Sequence, residues 1–351
     1  MRLQPVSLLA CLVASSIIVG SFSAGAAAHR FPDKLAILAE LRRKDFTGLD
    51  AEFERYQTAF EKNPVAELDE KAAFDSFATD DASVGDLIAE WIRAQPDSFA
   101  SHMAMGSYLS WRGWHTRGNL VADETQPKQF AKMRDYFAES VADIRSALKL
   151  RPQLSIGYAV LLGEARAKSD RSHQEEIETE ALARVPASFL VREEAMECRY
   201  PRWGGTHEMM TAFAQQSQAQ AKSNPNLHWL LGFVDRDIGE TLAIEGDLDN
   251  SIIALTRAIQ TGGDYSWFYF SRGESYLHRE SYKEALADFD RADELWPQDP
   301  ELLVRRAATF GRLGRPEDVL RDLKVVAIFE APDDFYTQLR DWAVAALKEK
   351  K

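Results

Sequence analysis

Ser266–Pro297 reads SWFYFSRGESYLHRESYKEALADFDRADELWP. Tyr269, Gly273 and Tyr276 recur at spacings of four and three. Tyr282, Ala285, Phe289 and Ala292 recur at three, four and three. Both runs trace one face of an α-helix. Pro297 stops the second run, because proline lacks the N–H and clashes with the preceding turn. The stretch therefore predicts two amphipathic helices joined by a tight turn. Neither helix buries its apolar stripe alone, so the pair must stack on neighbours.

The frame extends outward in steps of 34 residues. Gly239 matches Gly273 and Ala307, and Leu248 matches Tyr282 and Pro316. Ser251, Ala285 and Val319 form a set, as do Leu255, Phe289 and Leu323, and Ala258, Ala292 and Val326. Small residues fall where two helices approach closely and bulky ones where the interface must be filled. Asp299-Pro300-Glu301 is a helix start, with a capping Asp, Pro in the first turn and an acid at the positive helix end. The pattern resembles tetratricopeptide repeats, whose helical hairpins stack into a solenoid. The expected fold is all-α, a tetratricopeptide-like helical-hairpin solenoid.

The N-terminal half carries the pattern less regularly. Leu35, Ile37, Leu38 and Leu41 predict one helix, and Leu49, Phe53, Tyr56 and Phe60 a second, with a break around Gly48. Residues 63–83 are acidic and weakly patterned, anchored by Phe74 and Phe77. Pro152 and Pro186 lie 34 residues apart, the same repeat period. Carried back, that frame pairs Met103, Gly106 and Leu109 with Ile144 and Ala147. A long insert bearing Trp, Arg and Gly then interrupts this repeat in the N-terminal half. Phe335, Leu339, Trp342 and Ala346 mark a closing helix within 333–351. The expected division is a signal peptide over 1–28, a helical domain of unknown function over 29–230, repeats over 231–332 and a capping helix over 333–351.

The first residues read as an export signal. Arg2 precedes an apolar run from Val6 to Val19, and small residues offer cleavage after Ala26 or Ala28. A periplasmic or secreted protein is expected, with no membrane span once the signal is removed. An N-terminal anchor is a poorer fit, because Ser, Gly and Ala dilute the run. So is a lipoprotein, because Cys11 precedes most of it. Cys198 is the one cysteine beyond the signal, so no internal disulfide forms. A net charge of −13 argues against a nucleic-acid surface, which needs Lys and Arg to neutralise phosphates.

Catalytic patterns are absent from the sequence. His207-Glu208-Met209-Met210 lacks the second His of a zinc helix. Glu193, Glu194 and Glu197 read as a solvated helix face. No Walker loop, G-x-S-x-G or dinucleotide fingerprint occurs. No metal, cofactor or enzyme activity is expected.

Trp91 with Pro96, then Trp114-His115-Thr116-Arg117-Gly118, then Pro201-Arg202-Trp203-Gly204-Gly205-Thr206 occur in that order. This resembles a bacterial domain-of-unknown-function family (four-zero-three-four), in which W-x-x-R-G precedes P-R-W-G-G-S. Thr206 stands where Ser is usual. The resemblance spans about 33–230 and implies tetratricopeptide repeats after it, with no established activity. Chemically, Trp111, Trp114, Arg117, Arg202, Trp203, Gly204 and Gly205 suit either the lip of a small-ligand or hydrolytic site, or a tight turn with tryptophan as core filler.

The second candidate is the concave face of the repeats. First-helix residues facing away from their partner helix are Phe233, Arg236 and Glu240, then Trp267, Phe270 and Glu274, then Val304 and Arg312. Aromatic residues flanked by Arg and Glu suit a protein or peptide partner. Alternatively, a neighbouring helix fills this groove. Glu240 and Glu274 sit where capture of a terminal carboxylate needs neutral donors, so that mode is not expected.

Overall fold

A computed structural model of the chain describes residues 31–118 and 124–349. The expected signal peptide lies outside these residues. Seventeen α-helices follow one another, and no strand occurs among the described residues. The N-terminal half holds α1 (Lys34–Arg43), α2 (Phe46–Lys62), α3 (Glu67–Phe74), α4 (Ala82–Ala94), α5 (Phe99–Arg117) and α6 (Pro127–Leu150). Next come α7 (Ser155–Ala167), α8 (Arg171–Arg184), α9 (Phe189–Glu197) and α10 (His207–Ser217). The regular pairs are α11 (Phe233–Ile244) with α12 (Leu248–Gly262), α13 (Ser266–His278) with α14 (Tyr282–Leu295), and α15 (Pro300–Arg312) with α16 (Pro316–Phe329). Helix α17 (Asp334–Glu349) closes the stack, and the fold is a tetratricopeptide-like solenoid.

The 34-residue frame is realised in packing. Leu248, Tyr282 and Pro316 each open the second helix of a pair. Gly239 faces Leu255 and Gly273 faces Phe289, and a Cβ on either glycine would meet the partner side chain at 2.6 or 2.8 Å. The matched positions Ala258, Ala292 and Val326 are buried. Each hairpin turn needs one residue in the left-handed region, supplied by Gly246, Glu280 and Gly314. Ser169 does the same between α7 and α8. Within pairs, Arg272 forks onto Asp288 with two contacts of 2.8 Å, and Arg306 repeats the contact to Asp322 at 2.7 and 3.2 Å.

Several expectations are corrected in detail. The first break falls at Lys44 in the left-handed region, not at Gly48, which sits in the first turn of α2 beneath the capping carboxylate of Asp45. Much of the expected insert is helical, because α5 runs to Arg117 and α6 starts at Pro127. Helix α17 turns Tyr336, Leu339 and Ala343 inward and leaves Phe335 and Trp342 46% and 40% exposed.

Helices α1 and α3 fold back into the concavity. Helix α3 packs on α5, α7 and α9, the inner helices of the stack. Its Glu67 is fully buried and caps α9 from outside, accepting from Ser188 Oγ and Phe189 N–H at 2.6 Å and from Asn224 Nδ2 at 2.8 Å. Lys34 and Lys71 place their ammonium groups 5.8 and 5.1 Å from the Trp296 ring, which Phe31 meets edge-on. Asp80 N–H donates to Phe329 O, and Ala331 N–H returns to Asp80 Oδ2. The start of the chain thus closes onto its last repeat.

Candidate functional site

The inner wall is built by one register position after another. Glu197, Glu240 and Glu274 hold the ninth position counted from the starts of their repeats, and Arg236 the fifth of its own. These positions look away from the partner helix and into the concavity. Arg166, on α7, starts a ladder. Its Nη2 lies 3.0 Å from Glu194 Oε2 and its Nη1 2.9 Å from Glu197 Oε2. Glu197 then meets Arg236 at 3.7 Å, and Arg236 Nε meets Glu240 Oε1 at 2.6 Å. Ser271 Oγ donates to the same carboxylate at 2.9 Å, and Arg202 approaches it at 3.5 Å. One repeat further, Arg305 pairs with Glu274 at 3.0 Å. Gly163 has no side chain because Glu194 lies over it, 3.2 Å from where a Cβ would stand.

The ladder explains its own titration. Burial opposes ionisation of Glu240, but Arg236 and Arg202 hold its carboxyl below the usual range. Burial prevails at Glu194, whose carboxyl is raised despite Arg166. Glu193, which accepts from Tyr265 Oη, is pushed by burial to about 7. Toward the C-terminal end the cations run out. Glu301 is exposed, yet desolvation and then Asp299 and Glu274 push it to about 7. Glu330 reaches about 7 by desolvation, then through Asp299, Asp80, Glu301 and Asp333.

The two sequence motifs meet at a residue that sequence reasoning missed. The Arg166 guanidinium lies 5.8 Å from the Trp114 ring and 5.2 Å from the Trp203 ring, within cation–π range of both. Arg202 reaches the ladder through Glu240. Trp111 stacks on His115, and Arg117 bonds the carbonyl of Gly118 at 2.9 Å. The glycines serve the turn. Gly204 is left-handed with φ 83°, and a Cβ on Gly205 would stand 2.0 Å from the Arg199 carbonyl oxygen. Thr206 caps α10 by accepting from Met209 N–H at 3.2 Å, a role Ser also fills.

On the repeat wall the expected residues divide. Arg236, Glu240, Trp267, Glu274 and Val304 are half-buried along the inner helices, and Arg312 is exposed at the end of α15. Phe233 and Phe270 are corrected to core positions. Phe233 is 0% exposed against Tyr265 and Phe268, and Phe270 is 4% exposed between Trp267 and Phe289. Glu194 and Glu197 are also corrected, from a solvated face to the paired inner wall. Cys198 is buried, with its thiol pushed by burial to about 12. Among the described residues no group of three or more His, Cys, Asp or Glu is placed to hold a metal ion. No helix among them is long and apolar enough to cross a membrane.

Residues 27–167 match the family model of a domain of unknown function, DUF4034. The match takes in α1–α7 and the W-x-x-R-G stretch, and ends before P-R-W-G-G. The outer dynein arm-docking complex subunit 4 of Xenopus laevis is 35% identical over 77 residues, which is 22% of this chain and 14% of that protein. The chain therefore spans a small part of that relative. Among solved structures, yeast Tom70 aligns with 80% of this chain and 61% of its own, at 14% identity and a TM-score of 0.42. The type IV pilus biogenesis factor PilW aligns with 63% of this chain and 99% of its own, at 15% identity and a TM-score of 0.34.

Proposed function

We propose that this protein is an exported, non-enzymatic scaffold that holds an extended segment of a partner protein along the inner wall of its repeats. The observation that carries the reading is Trp267. It is a large aromatic residue that the repeat pattern does not require, half-buried on the concave side between Arg236 and the Glu274–Arg305 pair. Aromatic anchors ringed by charged groups are what partner surfaces use. Helices α1 and α3 occupy part of the concavity, so contact falls on the stretch they leave open, from α13 to α15. A photo-crosslinking residue in place of Trp267 should capture a protein from an envelope fraction. The same residue at Asp249, on the outer helix α12, should not. Equal capture at both positions would sink the groove reading.

Export rests on residues 1–28, and fractionation with N-terminal sequencing of the mature chain tests it. The small-ligand reading of the two motifs draws no support from the geometry. The guanidinium of Arg166 and its two carboxylates stand between Trp114 and Trp203.

A further inference from the structure

We infer that the open stretch of the inner wall recognises lysine or arginine side chains of its partner, through the ring faces of Trp267 and Trp296 and the carboxylates of Glu274, Asp299, Glu301 and Glu330. The inference rests on the groove reading above and specifies the occupant. Its first support is the chain's own behaviour. Two lysines that enter the concavity, Lys34 and Lys71, both settle over the Trp296 ring. Lys71 lies in the fields of Asp75, Glu193 and Asp299, yet its side chain is still 35% exposed. The wall thus shows how it holds an ammonium group while staying open to water. Trp267, Trp296 and Asp299 line one crevice, so the same aromatic and acidic elements continue along the wall.

The second support is charge complementarity. In the N-terminal part of the ladder, Arg166 and Arg236 answer Glu194, Glu197 and Glu240. Beyond Arg305, the groups acting on Glu330 are all acids. Glu301 and Glu330, each held near 7 by desolvation and like charges, gain a partner when a cation enters. Trp267 and Trp296 offer the ring faces on which a guanidinium or ammonium group stacks. A segment with spaced basic residues in extended form fits both features. An acidic segment meets uncompensated carboxylates.

The test uses the full chain and three labelled, unstructured peptides of equal length. One carries spaced lysines, one carries glutamates at the same places and one carries neither. By fluorescence anisotropy at low salt, the lysine peptide should bind at least about tenfold tighter than the neutral one. The double variant Glu301→Gln/Glu330→Gln should lose about tenfold for the lysine peptide alone. A matched change on the outer helices, Asp249→Asn/Glu294→Gln, should stay within about twofold. If the outer pair weakens binding as much as the inner pair, general acidity explains it and the inference is overturned. If the three peptides bind alike, the groove reading stands and its cationic specificity falls. If none binds, both fall. Circular dichroism on each variant separates lost contact from lost fold.

Discussion

Glu280 stands in the left-handed region at φ 62°, where the equivalent turns use Gly246 and Gly314. A side chain there costs about 1–2 kcal/mol, while glycine adds about 0.5–1 kcal/mol of unfolded-state entropy. Glu280→Gly should therefore stabilise the protein by roughly 0.5–1 kcal/mol. Chemical denaturation at constant slope reads this as a higher midpoint, and a lower one refutes it. Gly205 is the opposite case. A Cβ would overlap the Arg199 carbonyl oxygen, which is backbone and cannot swing away. Gly205→Ala should cost on the order of 2 kcal/mol, seen as a lower melting temperature, whereas Gly246→Ala meets no neighbour and should lose less.

At the scale of elements, Glu67 joins α3 to the N-terminus of α9 through four donors, including Leu190 N–H at 3.5 Å. Glu67→Gln replaces one acceptor oxygen by an NH₂ group that faces donors. The expected loss is about 1–3 kcal/mol, with faster amide exchange at Phe189 and Leu190 as its local signature. Unchanged exchange there would show that the clamp does not hold α9. The pairs α11–α16 were legible because packing inside a repeat is local, and the frame of 34 residues placed Gly273, Ala285 and Phe289 correctly. That frame also contained the ladder, since Glu197, Glu240 and Glu274 share one position. The acids at 193, 194 and 197 were misread because a charged helical face ordinarily faces solvent, whereas the inside of a solenoid is polar and enclosed. Phe233 went the other way. It holds the same repeat position as Trp267, but Tyr265 and Phe268 cover it.

At the scale of the molecule, the return of α1 and α3 into the concavity left no local pattern, because Lys34 meets Gln298 across 264 residues. Its physical trace is the number of carboxyls enclosed when the chain closes. Desolvation pushes Glu67, Glu164 and Glu193 each to about 7, against an ordinary value of 4.5, and Glu70 well above it. An acid whose folded value is raised binds its proton more tightly folded than unfolded. Its contribution is complete below 4.5 and lost as pH rises through about 7. His102, raised by its bond to Asp143, acts in the same direction. Carboxyls held low, such as Glu240 and Asp81, act oppositely and matter only near and below their ordinary range. The free energy of unfolding should therefore fall from pH 5 to pH 8. Glu164 is 1% exposed, so its share is about 3 kcal/mol at one pKa unit per 1.36 kcal/mol. Glu164→Gln keeps the shape and removes the titration, so the variant should show a flatter fall over the same range. Denaturant titrations across that range decide it: a stability that rises with pH, or a variant slope equal to that of the natural chain, removes Glu164 as a cause.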